Sequence, residues 1–359
     1  MEVKRLVGNN FRNLFPFSVE FCDGMNIIYG DNAQGKTNLI EALWLFTGAK
    51  SFRTSKDTDL IALGKEKAEI GLEFISGGIL REASITIKNR RSAVLDNKSL
   101  KTASALAGVF RATVFSPTDL SIVKDGPSIR RRFIDLAIGQ LYPNYVDILK
   151  LYTKAVMQRN MILKKMNGIL SNEPMLDVFE SEIAQSGKKI IEYRIKYCEK
   201  LTETASEIYS ELSSFYEELK VEYIRGCSDE DFEEKLYMSR KKDIYTCSTS
   251  VGPHRDDLNF CINGISARSF GSQGQQRSVA IALKLAESRI MNKITGERPI
   301  AILDDVMSEL DIGRQNFILN HIKDWQVFIT CCDPSNITLL NEGKIIKVSG
   351  GKIKTENNT

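Results

Sequence analysis

One segment of the 359-residue chain restricts its possible folds more than any other. Residues 30–37 read Gly-Asp-Asn-Ala-Gln-Gly-Lys-Thr and satisfy the pattern G-x-x-x-x-G-K-[ST]. A short apolar run precedes them, and apolar residues with helical spacing follow at Leu39, Ala42, Leu43 and Phe46. The segment therefore predicts a strand, a glycine-rich loop and a helix whose N-terminus binds phosphate groups.

The residues of this loop have separate predicted roles in holding a nucleotide. Lys36 would reach the β- and γ-phosphate oxygens, and the Thr37 hydroxyl would ligate Mg²⁺. The other predicted contacts come from the rest of the loop and the residue after it: Gly30, Asp31, Asn32, Ala33, Gln34, Gly35 and Asn38. We expect this loop to bind a nucleotide with Mg²⁺. Many unrelated proteins share such a loop, so the function of the nucleotide must be inferred from other segments.

A second segment would complete the metal site. Residues 300–305 read Ile-Ala-Ile-Leu-Asp-Asp, an apolar strand that ends in two carboxylates. Asp304 would ligate Mg²⁺, and Asp305 would orient or deprotonate the attacking water. On its own, such a run is common and can be a strand meeting a turn. Its interpretation depends on the loop at residues 30–37.

Composition excludes several classes of protein. The chain is 42% hydrophobic and 26% charged with only 8 Pro, which is typical of a globular protein. Its seven cysteines include no CxxC pair and it has two histidines, which argues against a zinc or disulfide framework. The N-terminus lacks a signal-peptide core, and no run of about 18 apolar residues occurs. These features predict a cytoplasmic protein with no membrane partner.

Basic residues are concentrated in one part of the chain. Residues 81–132 contain 11 Lys or Arg and 4 Asp or Glu, while the net charge of the whole chain is only +3. Lys88, Arg90, Arg91 and Lys98 fall on a predicted exposed hairpin and are candidates for contacts with DNA phosphates. A solvated sheet edge protected by charge would explain them equally well.

The pattern of apolar residues predicts two lobes. Short strands dominate the first hundred residues, and two apolar runs at 300–303 and 327–330 fit buried parallel strands. Residues 119–242 show helical spacing, with the clearest segment at 189–222, which fits either a coiled-coil-like hairpin or a bundle helix. Asn263-Gly264 predicts a two-residue type I′ turn that joins strands at residues 256–262 and 265–270 into a hairpin. We therefore assign residues 1–118 and 294–359 to one lobe and 119–293 to an inserted, mainly helical lobe.

Residues 271–275, Gly-Ser-Gln-Gly-Gln, open a helix and lie 32 residues before Asp304. The segment resembles the LSGGQ signature of ABC-type ATPases, and residues 308–311 resemble their D-loop. The resemblance implies an α/β fold: an ABC-type P-loop ATPase head, with mixed β-sheets around the P-loop helix and an inserted helical lobe. It also implies an ATP-dependent homodimer in which Ser272, Gly274 and Gln275 contact the nucleotide held by the other subunit.

Further segments narrow this resemblance to one family. The residues in question are Asn10-Phe11-Arg12-Asn13 together with 32–38, 115–120, 130–135, 252–257, 272–277 and 303–306. Together they resemble the RecF family of bacterial recombination mediators, in which Arg12 would lie near the nucleotide. The resemblance implies binding to gapped or junction DNA near the nucleoid and slow ATP hydrolysis. It also implies a pathway with RecR and RecO that loads RecA onto single-stranded DNA.

Two departures from ABC transporters bear on activity. Asp305 stands where transporters usually have Glu, and Thr330-Cys331-Cys332-Asp333 stands where they usually have His. A shorter carboxylate and no sensor His suggest slow hydrolysis, and the resemblance implies a weak, DNA-stimulated ATPase that uses ATP as a dimerisation switch. Whether catalysis is a function in its own right stays open, as do the roles of residues 130–132 and 254–255.

Two rival classes make different predictions. A P-loop kinase or GTPase would require an acceptor pocket or an Asn-Lys-x-Asp guanine reader, and the sequence shows neither. The ATP-binding subunit of a transporter would have the Glu and His that are missing here, and would lack the segments that resemble the RecF family.

Overall fold

The computed structural model describes residues 1–54, 56–166, 173–214, 216–226, 231–333 and 343–356. Two compact units divide the chain: Met1–Asp119 with Ile281–Thr359, and Leu120–Ala280. The first unit is thus built from both ends of the sequence. The second division falls inside one continuous helix, Gln273–Thr295, and not at the predicted residue 293. Helical periodicity cannot show where along a helix its packing partners change.

Over its described residues, the first unit contains two sheets and their covering helices. Its elements in chain order are β1 (Glu2–Asn9), β2 (Phe17–Glu20), β3 (Met25–Tyr29), α1 (Lys36–Trp44), β4 (Ala68–Ser76), β5 (Ile79–Ile87), β6 (Arg91–Leu95), β7 (Lys98–Leu100), β8 (Ala112–Phe115), β12 (Ile300–Asp304), α10 (Ile312–His321), β13 (Val327–Cys331), β14 (Lys344–Ser349) and β15 (Lys352–Glu356).

The second unit contains most of the helices and a small sheet. Its elements are α2 (Leu120–Lys124), α3 (Pro127–Leu141), α4 (Pro143–Met166), α5 (Glu173–Leu212), β9 (Leu219–Ile224), α6 (Phe232–Met238), α7 (Arg240–Thr246), β10 (Asp257–Ile262), β11 (Ile265–Ser266), α8 (Ala267–Phe270) and the start of α9 (Gln273–Thr295).

A mostly parallel sheet, with six strands among the residues that the structure describes, positions the predicted site. Its order is β15-β14-β3-β13-β12-β8, and all neighbours are parallel except β14 and β15. Every residue of β12 is buried, and β13 is buried up to its last residue. The prediction of two buried parallel strands is confirmed. Because parallel strands end at the same edge, the residues that follow β3, β12 and β13 converge there.

An antiparallel sheet forms the other layer of the first unit. Its order is β2-β1-β4-β5-β6-β7. Residues of β4 alternate between buried and half-buried positions, with Ala68, Ile70, Leu72 and Phe74 facing the core. This period of two is the pattern expected of a sheet with one face packed on the core. The strands predicted in the first hundred residues are confirmed.

The long helix α5 is shorter at its C-terminal end than its sequence pattern predicts. The helix ends at Leu212, and Ser214 adopts a left-handed backbone with φ 54°. Leu219, which continues the helical spacing, begins β9 and pairs with Ile262 of β10; Phe215 lies outside the described residues. The helix packs against α3, α4, α6 and β9. Of the two alternatives left open, the bundle helix is therefore correct.

The predicted hairpin turn is present, but its second strand is short. Asn263 and Gly264 have φ values of 49° and 80°, as a type I′ turn requires. Only Ile265–Ser266 pair with β10, and residues 267–270, which we expected to continue the strand, form α8. Within the part of the chain that the structure describes, no helix is long and apolar enough to cross a membrane.

Candidate nucleotide-binding site

The loop after β3 has a backbone that only glycine can form at two positions. Gly30 has φ 149°, and a Cβ atom there would lie 2.1 Å from the carbonyl oxygen of Val348 in β14. Gly35 has φ 115° and caps the N-terminus of α1. On its other side, the Gly351 N–H donates to the carbonyl of Gln34 at 3.1 Å. The loop is therefore fixed between α1 and the β14–β15 hairpin, in a curved conformation, or cradle, that suits a phosphate group.

The Lys36 ammonium group lies within the curve of this loop. It donates to the carbonyl oxygens of Gly30 at 2.8 Å and Asp31 at 3.2 Å, and Cys332 Sγ lies 3.7 Å away. The side chain is buried. A buried cation among backbone groups, at the N-terminus of a helix, suits an anionic ligand.

The two predicted Mg²⁺ ligands meet although 267 positions separate them. Thr37 Oγ1 donates to Asp304 Oδ1 at 3.0 Å. Burial raises the pKa of the Asp304 carboxyl above its usual value, since a carboxylate is costly away from water. A divalent cation beside it would offset that cost, and hydroxyl and carboxylate oxygens are the ligands that Mg²⁺ prefers. The donor set therefore fits Mg²⁺.

Thr330 joins the two aspartates and was missed by sequence reasoning. Its hydroxyl donates to Asp304 Oδ1 at 2.8 Å and accepts from the backbone N–H of Asp305 at 2.9 Å. Asp305 is half-buried and has a left-handed backbone with φ 50°. The pairing of Thr330 with Asp304 across β13 and β12 explains the contact. The signal was available only from the sheet register, because Thr330 stands in a plain apolar run.

Arg12 lies beside α1 and is bound by a buried carboxylate. Its guanidinium donates twice to Glu41, at 2.9 Å each, and once to the carbonyl of Asp59 at 2.9 Å. Glu41 is fully buried, while the Arg12 side chain is 18% exposed. Arg12 therefore has a structural contact in addition to its predicted place near the nucleotide. Glu41 was not among the predicted residues.

Asn38 connects the loop to two other segments. Its side-chain amide donates to Asn13 Oδ1 at 2.6 Å and accepts from Arg53 at 2.7 Å. The Asn13 amide in turn donates to the carbonyl of Ala33 at 3.3 Å. Sequence reasoning did not identify Arg53, which brings a further cation to the first turn of α1.

In the second unit, the predicted signature segment caps helix α9. Ser272 Oγ accepts from the N–H of Gln275 at 3.2 Å, and Gln275 Oε1 accepts from the N–H of Ser272 at 2.8 Å. This reciprocal pair is a capping box, which fixes the first turn of the helix. Ser272, Gln273 and Gly274, which complete the turn, are exposed or half-buried. The segment is therefore an ordered helix N-terminus that suits an anion.

The predicted DNA contacts fall into two groups. Lys88 and Arg90 are exposed in the turn between β5 and β6, and Lys98 is exposed at the start of β7, directly after a turn. The side chain of Arg91 is only 7% exposed and pairs with Asp57 at 3.0 Å, and it donates to the carbonyl of Ala49 at 2.6 Å. Arg91 thus has partners within the chain, while the other three face solvent.

Two sets of residues with open roles have partners inside the second unit. Arg130 is buried and binds the Asp257 carboxylate at 2.6 and 2.9 Å. Arg131 donates to the carbonyl of Asp256 at 2.6 Å. His254 contacts the hydroxyl of Tyr152 and the carbonyl of Thr249 at 2.5 and 3.0 Å. Arg130 therefore has a structural role, and His254 stabilises its turn through Tyr152 and Thr249.

Comparison with known proteins identifies the fold and family. The family model of the RecF/RecN/SMC N terminal domain matches residues 2–354. The Smc head domain of Pyrococcus furiosus, solved with an extended coiled coil and bound to the C-terminal domain of ScpA, has a TM-score of 0.56 at 17% identity. That comparison covers 100% of this chain and 97% of the other, and it shows the fold alone. The predicted ABC-type ATPase head is confirmed.

Closer relatives carry more information. The DNA replication and repair protein RecF of Clostridium perfringens is 40% identical, covering 99% of this chain and 100% of that protein. A solved structure of the recombination mediator protein RecF-ATP in the RecFOR pathway has a TM-score of 0.91 at 35% identity. It covers 99% of this chain and 98% of the other. The chain therefore belongs to the RecF family of DNA replication and repair proteins.

Proposed function

We propose that this chain is an ATP-dependent, DNA-binding recombination mediator. The observation that carries the proposal is the meeting of Lys36, Thr37 and Asp304 around one phosphate-binding loop. A similar protein has been solved as RecF-ATP, which supports ATP as the nucleotide. Asn32, Ala33, Gln34 and the other loop residues would contact its phosphates through their backbone N–H groups.

In this proposal Mg²⁺, when bound, neutralises charge on the phosphate oxygens, and the chain supplies the rest of the chemistry. Thr37 and Asp304 hold the cation, and Lys36 holds the terminal phosphates. Asp305 orients the attacking water, with its backbone fixed by Thr330. Hydrolysis is slow and is stimulated by DNA, since Asp305 is shorter than the Glu of transporters and residues 330–333 stand where transporters usually have the sensor His.

ATP would join two subunits head to tail. The N-terminus of α9, with Ser272, Gly274 and Gln275, contacts the γ-phosphate held by the other subunit. The phosphate keeps much of its charge in the cradle alone, and the free N–H groups of a helix N-terminus stabilise such charge. Each dimer holds two nucleotides because a symmetric interface repeats every contact.

The dimer would bind gapped or junction DNA in the cytoplasm, at the nucleoid. Lys88, Arg90 and Lys98 are the proposed phosphate contacts, because they are exposed while Arg91 is held by Asp57. The RecFOR pathway of the similar solved protein supports RecR and RecO as partners. The outcome of that pathway would be the loading of RecA onto single-stranded DNA.

Sedimentation with and without ATP and DNA tests this function. We expect the wild type to dimerise with ATP. Lys36→Met would stay monomeric because its cradle cannot hold the nucleotide. Ser272→Arg would stay monomeric because the larger side chain keeps its signature segment from the nucleotide of the other subunit. Mixing the two variants is a sharper test: a head-to-tail dimer made of one of each retains one intact nucleotide site. A wild type that remains monomeric with saturating ATP would contradict the proposal.

A further inference from the structure

A carboxylate outside the predicted site contacts the signature segment. Glu217 lies between the end of α5 at Leu212 and the start of β9 at Leu219. Its Oε1 atom accepts from the side-chain amide of Gln275 at 2.6 Å. A hydrogen bond to a charged acceptor is stronger than one between neutral groups. Glu217 therefore makes a charge-assisted hydrogen bond with Gln275, the residue that completes the capping box.

The Gln275 amide can satisfy both contacts in one orientation only. Its oxygen accepts from the N–H of Ser272 at 2.8 Å, and its nitrogen donates to Glu217. A carboxylate accepts and cannot donate, so it selects the orientation in which the amide oxygen faces Ser272. Glu217 thereby fixes the amide that holds the backbone of Ser272 in place.

Glu217 is itself held by surrounding structure. Its Oε2 atom accepts from the hydroxyl of Tyr209 in α5 at 2.6 Å. Its backbone N–H donates to Ser213 Oγ at 3.3 Å. The next N–H, of Glu218, donates to the side chain of Asn263 in the β10–β11 turn at 2.9 Å. The carboxylate is thus bound to the long helix, and the backbone of the next residue is bound to the small sheet of the second unit.

We propose that Glu217 is a positioning residue for the signature segment, which it holds in the conformation that contacts ATP across the dimer. The proposal rests on the proposed head-to-tail function. The chain of contacts Tyr209, Glu217, Gln275 and Ser272 fixes the helix N-terminus before the nucleotide arrives. Ordering it beforehand removes a conformational cost from binding.

The first test is dimerisation in the presence of the slowly hydrolysed analogue ATPγS. Loss of a hydrogen bond to a charged group weakens an interaction on the order of tenfold. A dimer contains two signature segments, so we expect Glu217→Ala to raise its dissociation constant about a hundredfold. Glu217→Gln keeps an oxygen that accepts from Gln275, and it should stay within about tenfold of the wild type.

The control is Glu218→Ala, which removes the neighbouring exposed carboxylate and leaves its backbone contact to Asn263 intact. It should dimerise like the wild type. A fluorescent ATP analogue measured at protein concentrations below dimerisation should bind all variants equally, since the cradle on the first unit is unaltered. A general structural defect in Glu217→Ala would instead lower both nucleotide binding and thermal stability, and that result would contradict a positioning role.

The double variant Glu217→Ala with Gln275→Ala completes the test. If Glu217 acts through Gln275, the double variant is no worse than Gln275→Ala alone. Additive losses, or a Glu217→Ala protein that dimerises as well as Glu218→Ala, would overturn the inference while the wild type still dimerises. A wild type that does not dimerise overturns the proposed function itself, so the two failures are distinct.

Discussion

The guanidinium group of Arg12 donates to both carboxylate oxygens of Glu41, at 2.9 Å each. Glu41 has no exposure to solvent, and Ser51 also donates to it. Removal of one member of such a pair leaves an uncompensated buried charge, which is strongly destabilising. The contact therefore supports α1, the helix that follows the phosphate-binding loop, whatever Arg12 does toward a nucleotide.

We predict that Arg12→Ala lowers the free energy of unfolding by about 3 kcal/mol. Urea denaturation measures this loss. The double variant Arg12→Ala with Glu41→Gln should recover part of it, because the neutral amide can be buried at lower cost. If the double variant is less stable than Arg12→Ala, the buried charge is not the cause. ATP affinity measured in the double variant then reports on a nucleotide contact of Arg12 separately from folding.

Thr330→Val should reduce both stability and ATP turnover. The substitution keeps the shape of the side chain but removes the hydroxyl that joins Asp304 to the N–H of Asp305. We expect a loss of about 1 to 2 kcal/mol in unfolding free energy and roughly a tenfold fall in kcat, because the Asp305 backbone loses its partner. Steady-state hydrolysis at saturating ATP measures the second effect. Thr330→Ser, which keeps the hydroxyl, is the matched control, and equal loss in both variants would contradict the prediction.

The salt dependence of DNA affinity tests the basic turns. Each phosphate contact contributes a slope of roughly 0.9 in a plot of log affinity against log salt concentration. The triple variant Lys88→Ala, Arg90→Ala and Lys98→Ala should therefore flatten the slope by up to about 3. Lys67→Ala, an exposed lysine that pairs with Glu69, is the control. An unchanged slope in the triple variant would reject these contacts.

Arg91→Ala should behave differently from its exposed neighbours. Its guanidinium is largely buried between Asp57 and the carbonyl of Ala49. We expect a loss of stability of about 2 kcal/mol from the removed contacts, with no change in the salt slope. Urea denaturation and DNA titration on the same preparation separate the two effects. A flatter slope with unchanged stability would assign Arg91 to DNA instead.

Asp119 gives the first unit a pH dependence with a defined direction. Burial raises its pKa to about 6, with Lys284 and the N–H of Ser116 acting in the opposite sense. Between an unfolded pKa near 3.8 and the folded value, the folded chain binds more protons. The stability that comes from keeping the Asp119 carboxyl protonated is therefore fully present below about pH 4, and it is lost as the pH rises through about 6.

The variant Asp119→Asn isolates this contribution. Its amide is neutral at every pH, so it lacks the desolvation cost of the half-buried Asp119 carboxylate. The stability of Asp119→Asn relative to the wild type should therefore increase by about 1 to 2 kcal/mol between pH 4.5 and pH 7.5. Urea denaturation of both proteins at the two pH values measures the difference. A difference that stays constant with pH would show that Asp119 ionises without cost in the folded chain.

The sequence predicted the parts of the site that depend on local spacing. The glycines at 30 and 35, Lys36, Thr37 and the two aspartates at 304 and 305 form short patterns whose chemistry requires those residue types. The strands beside them were also predicted from local sequence, because a short continuous apolar run such as residues 300–303 indicates a buried strand. The convergence of these segments then follows from the geometry of a parallel sheet.

The residues that were missed owe their roles to contacts between distant segments. Thr330 reaches the aspartates through the register of β13 on β12. Glu217 contacts Gln275, which is 58 positions away in the sequence. Glu41 belongs to no sequence motif, and its role follows only from its contact with Arg12. The end of α5 was misplaced because Leu219 continues a helical spacing, while the break at Ser214 is made by the backbone.

The contact of Gly30 with Val348 makes the phosphate-binding loop dependent on strand β14, 318 positions later in the chain. During synthesis the loop is made first, and strand β14, against which it packs, is made only 318 positions later. A nascent chain therefore carries an unsupported cradle until β14 has left the ribosome and paired with β3. Such long-range closure is slow compared with local folding. Acquisition of a well-formed cradle would thus mark the completion of the whole first unit.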